Sequence, residues 1–123
     1  MRIANDELNL SGTNMAVSIE SEPIWLGHIA NYNIQLVFTG NPSGNFKLQI
    51  SNDAGNPNAP KEADRNFKIE NWTDMADSGQ TISAAGNHSY EVQNAGHRWV
   101  RLVWTATSGS GTITSARFNA KGV

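Results

Sequence analysis

The chain predicts an all-β fold: a two-sheet antiparallel β-sandwich, jelly-roll-like, of about eight strands. Three observations predict it. Apolar and polar residues alternate with period two along most of the sequence, which puts one set on a core face and the other in water. Clusters of Gly, Asn, Ser and Pro punctuate those runs and supply turns. The composition is polar but weakly charged. Of 123 residues, 45 are Asn, Ser, Thr or Gly and only 16% are charged, a balance that favours short strands and loops over long helices.

The elements follow in order. Residues 1–12 read as an N-terminal arm and 13–123 as a single domain, a length that suits one core. Met15, Val17 and Ile19 alternate with Ala16, Ser18 and Glu20 in a strand over 13–21, and a short strand follows at 24–26. Over 30–39, Tyr32, Ile34, Leu36 and Phe38 alternate with Asn33, Gln35, Val37 and Thr39. Over 45–51, Phe46, Leu48 and Ile50 alternate with Lys47, Gln49 and Ser51. Between these two, Gly40-Asn41-Pro42-Ser43-Gly44 reads as a hairpin loop. Asn52 to Asn66 holds Pro57 and Pro60, which lack ladder donors, so it reads as a long surface loop with room for one helical turn over 59–67. Strands are expected at 68–73, 80–84 and 88–93. The last two, 97–107 and 112–120, are joined by a turn at Ser108-Gly109-Ser110-Gly111. Half-buried strands of this alternation belong to antiparallel sheets.

Charge and composition exclude several classes of function. A net charge of −2 gives no electrostatic case for a nucleic-acid or membrane partner. Without cysteine, disulfides, thiolate metal sites and cysteine nucleophiles are impossible. No run approaches the roughly 20 apolar residues of a membrane span. The first residues carry no apolar signal segment, so the chain is expected to be made in the cytoplasm and not exported by a cleaved signal.

Catalytic chemistry finds little support. His28, His88 and His97 lack zinc-ligand spacing. Glu20, Glu22, Glu70, Asp74, Asp77 and Glu91 are scattered, and read as solvated carboxylates before they read as a glycosidase pair. Asn52-Asp53 and Asp74…Asp77 could offer oxygens to calcium, but no calcium-loop spacing surrounds them and such residues serve turns unaided. No catalytic residue, cofactor or metal is expected.

One strand is unusual. In 97–104, Val100, Leu102 and Trp104 occupy one face and Trp99, Arg101 and Val103 the other, so both faces are substantially apolar. Cover from within the chain or from another subunit would explain it. Trp25, Trp72 and Trp104 read as core anchors, and Trp99 as the exposed tryptophan. Trp99, Arg101 and Val103 are therefore the candidate assembly interface, since Trp and Arg are enriched in interface hot spots. Ile3, Leu8 and Leu10 of the arm, which has no hairpin partner of its own, form a second candidate contact that would order on binding.

Three segments carry a resemblance: 34–53 (IQLVFTGNPSGNFKLQISND), Asn71-Trp72-Thr73-Asp74 with Asp77-Ser78, and 99–122 from Trp99-Val100-Arg101-Leu102-Val103-Trp104 to Asn119-Ala120-Lys121-Gly122. In this order and spacing they resemble small β-sandwich virion proteins of tailed bacteriophages. The resemblance implies a non-enzymatic virion structural protein, in capsid decoration or in the tail or a fibre. It would assemble with copies of itself, a trimer being one form the virion context suggests, and with other virion proteins. A weaker similarity, a strand running into Ser51-Asn52-Asp53 with a later Trp, is to discoidin-like carbohydrate-binding sandwiches. It implies an alternative role as a carbohydrate-binding module that attaches to host glycans through an aromatic platform near the 52–66 loop.

Overall fold

The structure, a computed structural model, describes residues 3–27, 29–53 and 69–122. Its regular structure is entirely β: among the described residues nine strands form one antiparallel sheet. Two long strands are its spine. β5 (Ile29–Ser51) and β9 (Trp99–Gly122) pair along their full lengths, from Ile29 opposite Gly122 to Ser51 opposite Trp99. The shorter strands line the two outer edges of this pair. β1 (Ile3–Glu7), β2 (Thr13–Asn14), β3 (Ile19–Glu20) and β4 (Ile24–Trp25) lie along β9. β6 (Thr73–Asp74), β7 (Gln80–Ile82) and β8 (Gly86–Val92) lie along β5.

The spine bends at 40–44 of β5 and 107–111 of β9, which divides the sheet into halves. The first half runs β1, the end of β9, the start of β5, then β8. The second runs β3 and β4, the start of β9, the end of β5, then β6 and β7. Along β5, Tyr32, Ile34, Leu36 and Phe38 are buried before the bend and Phe46 and Leu48 after it. The same face is therefore interior on both sides, and the bent sheet folds over, without closing, as a sandwich with one core. Phe38 and Phe46 meet at 5.6 Å between ring centroids, and Phe46 packs on Trp104 at 4.6 Å. Polar contacts also cross between halves. Tyr90 of β8 donates its hydroxyl to the Ser78 carbonyl at 2.7 Å, and Ser78 Oγ accepts from Leu48 N at 3.1 Å. Tyr32 Oη and His97 Nε2 are 2.8 Å apart.

The bend corrects the expected hairpins. Gly40–Gly44 and Ser108–Gly111 are not loops between strands; they pair with each other as Gly40–Gly111, Asn41–Ser110, Pro42–Gly109 and Ser43–Ser108. Turn residues are needed there because the chain changes direction without ending the ladder. Gly40 and Gly109 take φ of +87° and +74°, which side-chain-bearing residues rarely adopt. The register also slips by one residue on either side of the bend, between Val37 and Phe38 and between Ser43 and Gly44. Each slip is a β-bulge that adds a residue to β9 and turns its side chains over. Two slips cancel, so Val100, Leu102 and Trp104 before the bend and Ala116, Phe118 and Ala120 after it are all interior.

The arm is corrected as well. Ile3–Glu7 is a strand on β9, from Ile3 opposite Lys121 to Glu7 opposite Arg117, and the Leu8 amide donates to the Ala116 carbonyl at 2.9 Å. Leu8 and Leu10 are in the core. This segment orders by completing the sheet of its own chain. The expected helical turn over 59–67 and most of the 52–66 loop lie outside the described residues.

A Cβ at Gly109 would sit 2.2 Å from the Asn41 carbonyl oxygen, whereas one at Gly86 would meet nothing within 4 Å. Gly109→Ala should destabilise the fold by about 1–3 kcal/mol in urea unfolding, and Gly86→Ala should stay within about 0.5 kcal/mol of the parent. Equal effects would contradict this account of the bend.

Candidate functional site

Alternation places Lys47, Gln49, Arg101 and Val103 on the outer face of the second half, opposite in phase to Leu48, Leu102 and Trp104. Cross-strand register sets Gln49 beside Arg101 and Asp74, and Val103 beside Lys47 and Glu20. The side chains knit these four strands together. The Arg101 guanidinium reaches Glu20 Oε2 at 2.7 Å, its Nε donates to Gln49 Oε1 at 2.8 Å, and its carbon centre lies 4.3 Å over the Trp72 ring. Gln49 Nε2 donates to Asp74 Oδ1 at 2.9 Å, and Lys47 Nζ to Asp74 Oδ2 at 3.1 Å. These bonds hold the Asp74 carboxyl below its usual range. β3 and β6 have two residues each, too few for the backbone ladder alone to fix, and Glu20 and Asp74 clip them to the spine.

The structure exchanges the roles expected of two tryptophans. Trp99 is buried within the chain, 4% exposed, with its indole N–H donated to the Asp53 carbonyl at 2.9 Å and Trp25 paired across from it. Trp72 is half-buried on the outer face beneath Arg101, its indole N–H donated to the Ile69 carbonyl. Of the expected interface residues, Arg101 and Val103 are half-buried on this face, while Trp99, Leu8 and Leu10 are interior. Ile3 lies in β1 at the edge of the first half, away from the Arg101 face, and its side-chain contacts lie outside the described residues. The structure thus brings Arg101 and Val103 together, and separates them from the arm. Trp25 is half-buried too, and Trp104 is fully buried as expected of a core anchor.

Asp53 is a residue whose role sequence reasoning missed. One carboxylate oxygen accepts from the backbone amides of Glu70 and Asn71 at 2.8 and 3.0 Å, and the other from Asn71 Nδ2 at 3.0 Å. It therefore joins the two chain segments flanking 54–68, and those bonds lower its pKa. The Ser51-Asn52-Asp53 turn was legible, and the Ser51 hydroxyl does accept the Asp53 amide at 3.1 Å. The reach to Asn71 has no local signature. His97 also sits at this end of the second half, with burial lowering its pKa, as it does for His88 against Tyr90. His28 lies outside the described residues. Among the described residues, no three His, Cys, Asp or Glu side chains are placed to hold a metal ion.

No family model matches the chain, and no curated protein matches its sequence. Among solved structures it is similar to the SPBc2 prophage-derived protein YomS, with a TM-score of 0.54 and 13% identity over 97% of this chain and 92% of that one. It is also similar to the Tobacco streak virus coat protein, at a TM-score of 0.47 and 8% identity over 99% and 87%. A third similar structure is TmCBM61 in complex with beta-1,4-galactotriose, at 0.41 and 14% over 97% and 82%. The first of these likenesses shows the fold.

The shifted groups set an acid response. Asp53 and His97 both bind protons less readily folded than unfolded, so each loses stability as pH falls. The His97 contribution should decline from its unperturbed value near 6.5 downward, and that of Asp53 from below about 3.8. Thermal unfolding followed against pH should therefore show two acid limbs. His97→Gln should flatten part of the upper limb and Asp53→Asn part of the lower; unchanged limbs would count against both assignments.

Proposed function

We propose that the chain is a non-enzymatic structural component of a phage virion, in capsid decoration or in the tail or a fibre, and works by protein–protein assembly. The observation that carries this reading is the Arg101–Trp72 pair on the outer face of the second half. The guanidinium is held from two sides by hydrogen bonds and backed by an indole, and its side chain is only 17% exposed while the Glu20 carboxylate beside it is 57% exposed. Arg and Trp preorganised in this way cost little further entropy on docking, which is the character of interface anchors. The resemblance of segments 34–53, 71–78 and 99–122 to virion proteins of tailed phages supports the same reading, as does a fold shared with a prophage-derived protein.

The contact that follows is polar and aromatic. With Trp99, Leu8 and Leu10 interior, Val17 is the exposed large hydrophobic residue among those described. Copies of the chain, as a trimer or another closed oligomer, would then meet through charge-complementary faces, and the same face would seat other virion proteins.

Light scattering over a concentration series should give a molar mass above that of the monomer. Trp72→Ala should move the distribution toward monomer, with salt weakening association in the parent. A parent that stays monomeric at every concentration would overturn self-assembly, and a Trp72→Ala oligomer identical to the parent would remove this face from it.

A further inference from the structure

The outer face of the first half contrasts with that of the second. Cross-strand register aligns Glu91 of β8, Asn33 of β5 and Asn119 of β9 in one row, about 10 Å across at two strand spacings. Asn31, Gln93 and Lys121 extend this row, and the six surround a shallow cavity of about 230 Å³, while Tyr32, Val92 and Ala120 between them turn their side chains toward the core.

Asparagine is a poor strand former, because its side chain competes for local backbone groups and packs badly on a pleated surface. Asn33 and Asn119 nonetheless lie within the two spine strands. On the second half, polar outward residues repay their positions with bonds across strands. Here they do not. Among the described residues, Asn33, Gln93, Asn119, Glu91 and Lys121 make no side-chain hydrogen bond or ion pair, and Asn31 only accepts from the Asn94 amide at 3.3 Å. A local rule broken in the middle of the sheet without structural compensation marks a functional surface.

The chemistry of the lining selects the ligand. Each free carboxamide offers donors and an acceptor together, as a sugar hydroxyl both gives and takes a proton. Glu91 and Lys121 cancel in charge, so the lining favours neither anion nor cation. Tyr32, the aromatic residue among those lining the cavity, is buried in the core and offers no outward ring to stack a base. We propose that the outer face of the first half, centred on Asn33 and Asn119, is a binding site for a neutral saccharide. This site is separate from the Arg101 face and does not depend on assembly.

The test is two-dimensional NMR of the full chain, following side-chain amide signals during titration with chitotriose, cellotriose, maltotriose and lactose at millimolar concentration. The signals of Asn33, Asn119 and Gln93 should shift saturably with at least one of these sugars. Asn33→Thr and Asn119→Thr, which install a better strand former, should weaken that binding about tenfold or more and leave the melting temperature equal or higher. Three results would overturn the proposal. One is no response of these amides to any of the four sugars, and another is unchanged binding by the Thr variants. Shifts of these amides with protein concentration alone, and with no sugar, would assign the face to a second copy of the chain.

Discussion

The unbroken pairing of β5 with β9 is the constraint on which the rest depends. Strands of 23 and 24 residues are long for a small domain, and straight strands of that length could not bury one common face. The ladder survives a change of direction only because both strands carry residues that tolerate it at the same level. Gly40 and Gly109 supply left-handed backbone, and the two bulges keep the interior phase continuous. Pro42 is fully buried in the same stretch. Its missing N–H is tolerated beside a bulge, where the ladder is already irregular. Once the spine is bent, the remaining strands need only be short, since each adds to an edge that already exists.

Short edge strands raise a second problem. Two-residue strands gain little from the ladder, and exposed edges invite foreign pairing. The second half answers with side chains: Glu20–Arg101–Gln49–Asp74–Lys47 runs across β3, β9, β5 and β6. Separately each exposed pair is weak. As a network it also fixes Arg101 over Trp72, so the feature that stabilises the edges is the one that prepares a contact surface. At the loop end, Asp53 does for the chain segments flanking 54–68 what Arg101 does for the strands.

The core was legible because it depends on a local rule. Period-two alternation alone identifies Tyr32, Ile34, Leu36, Phe38, Phe46 and Leu48 as one face, and all are buried. The bend was not, since Gly-Asn-Pro-Ser-Gly carries the same local signal whether the chain reverses or turns a corner while paired. What distinguishes them is the partner, Ser108–Gly111, which lies over sixty residues away. The tryptophans failed for a related reason. Trp99 is buried by Asp53 and by its pairing with Trp25, and Trp72 is placed by Arg101; none of those contacts is local. The arm looked unpartnered because its partner is the opposite end of the chain. Of the candidate site, Arg101 and Val103 could be placed on one outer face from alternation, and their network could not.

The two outer faces show why a solvent-facing polar residue is not one kind of observation. Both halves share the same spine strands, the same alternation and the same opposition of β5 to β9, so differences between their faces cannot come from topology. On the second half, charged and long side chains close bonds with one another and satisfy themselves. On the first, the short carboxamides of Asn33 and Asn119 stand opposite one another without bonding and leave their donors and acceptors to water. Thr or Val at Asn33 and Asn119 would have served the sheet better. A fold whose bend already demands glycines of low strand propensity has little reason to accept further weak strand formers where nothing in its own architecture uses them.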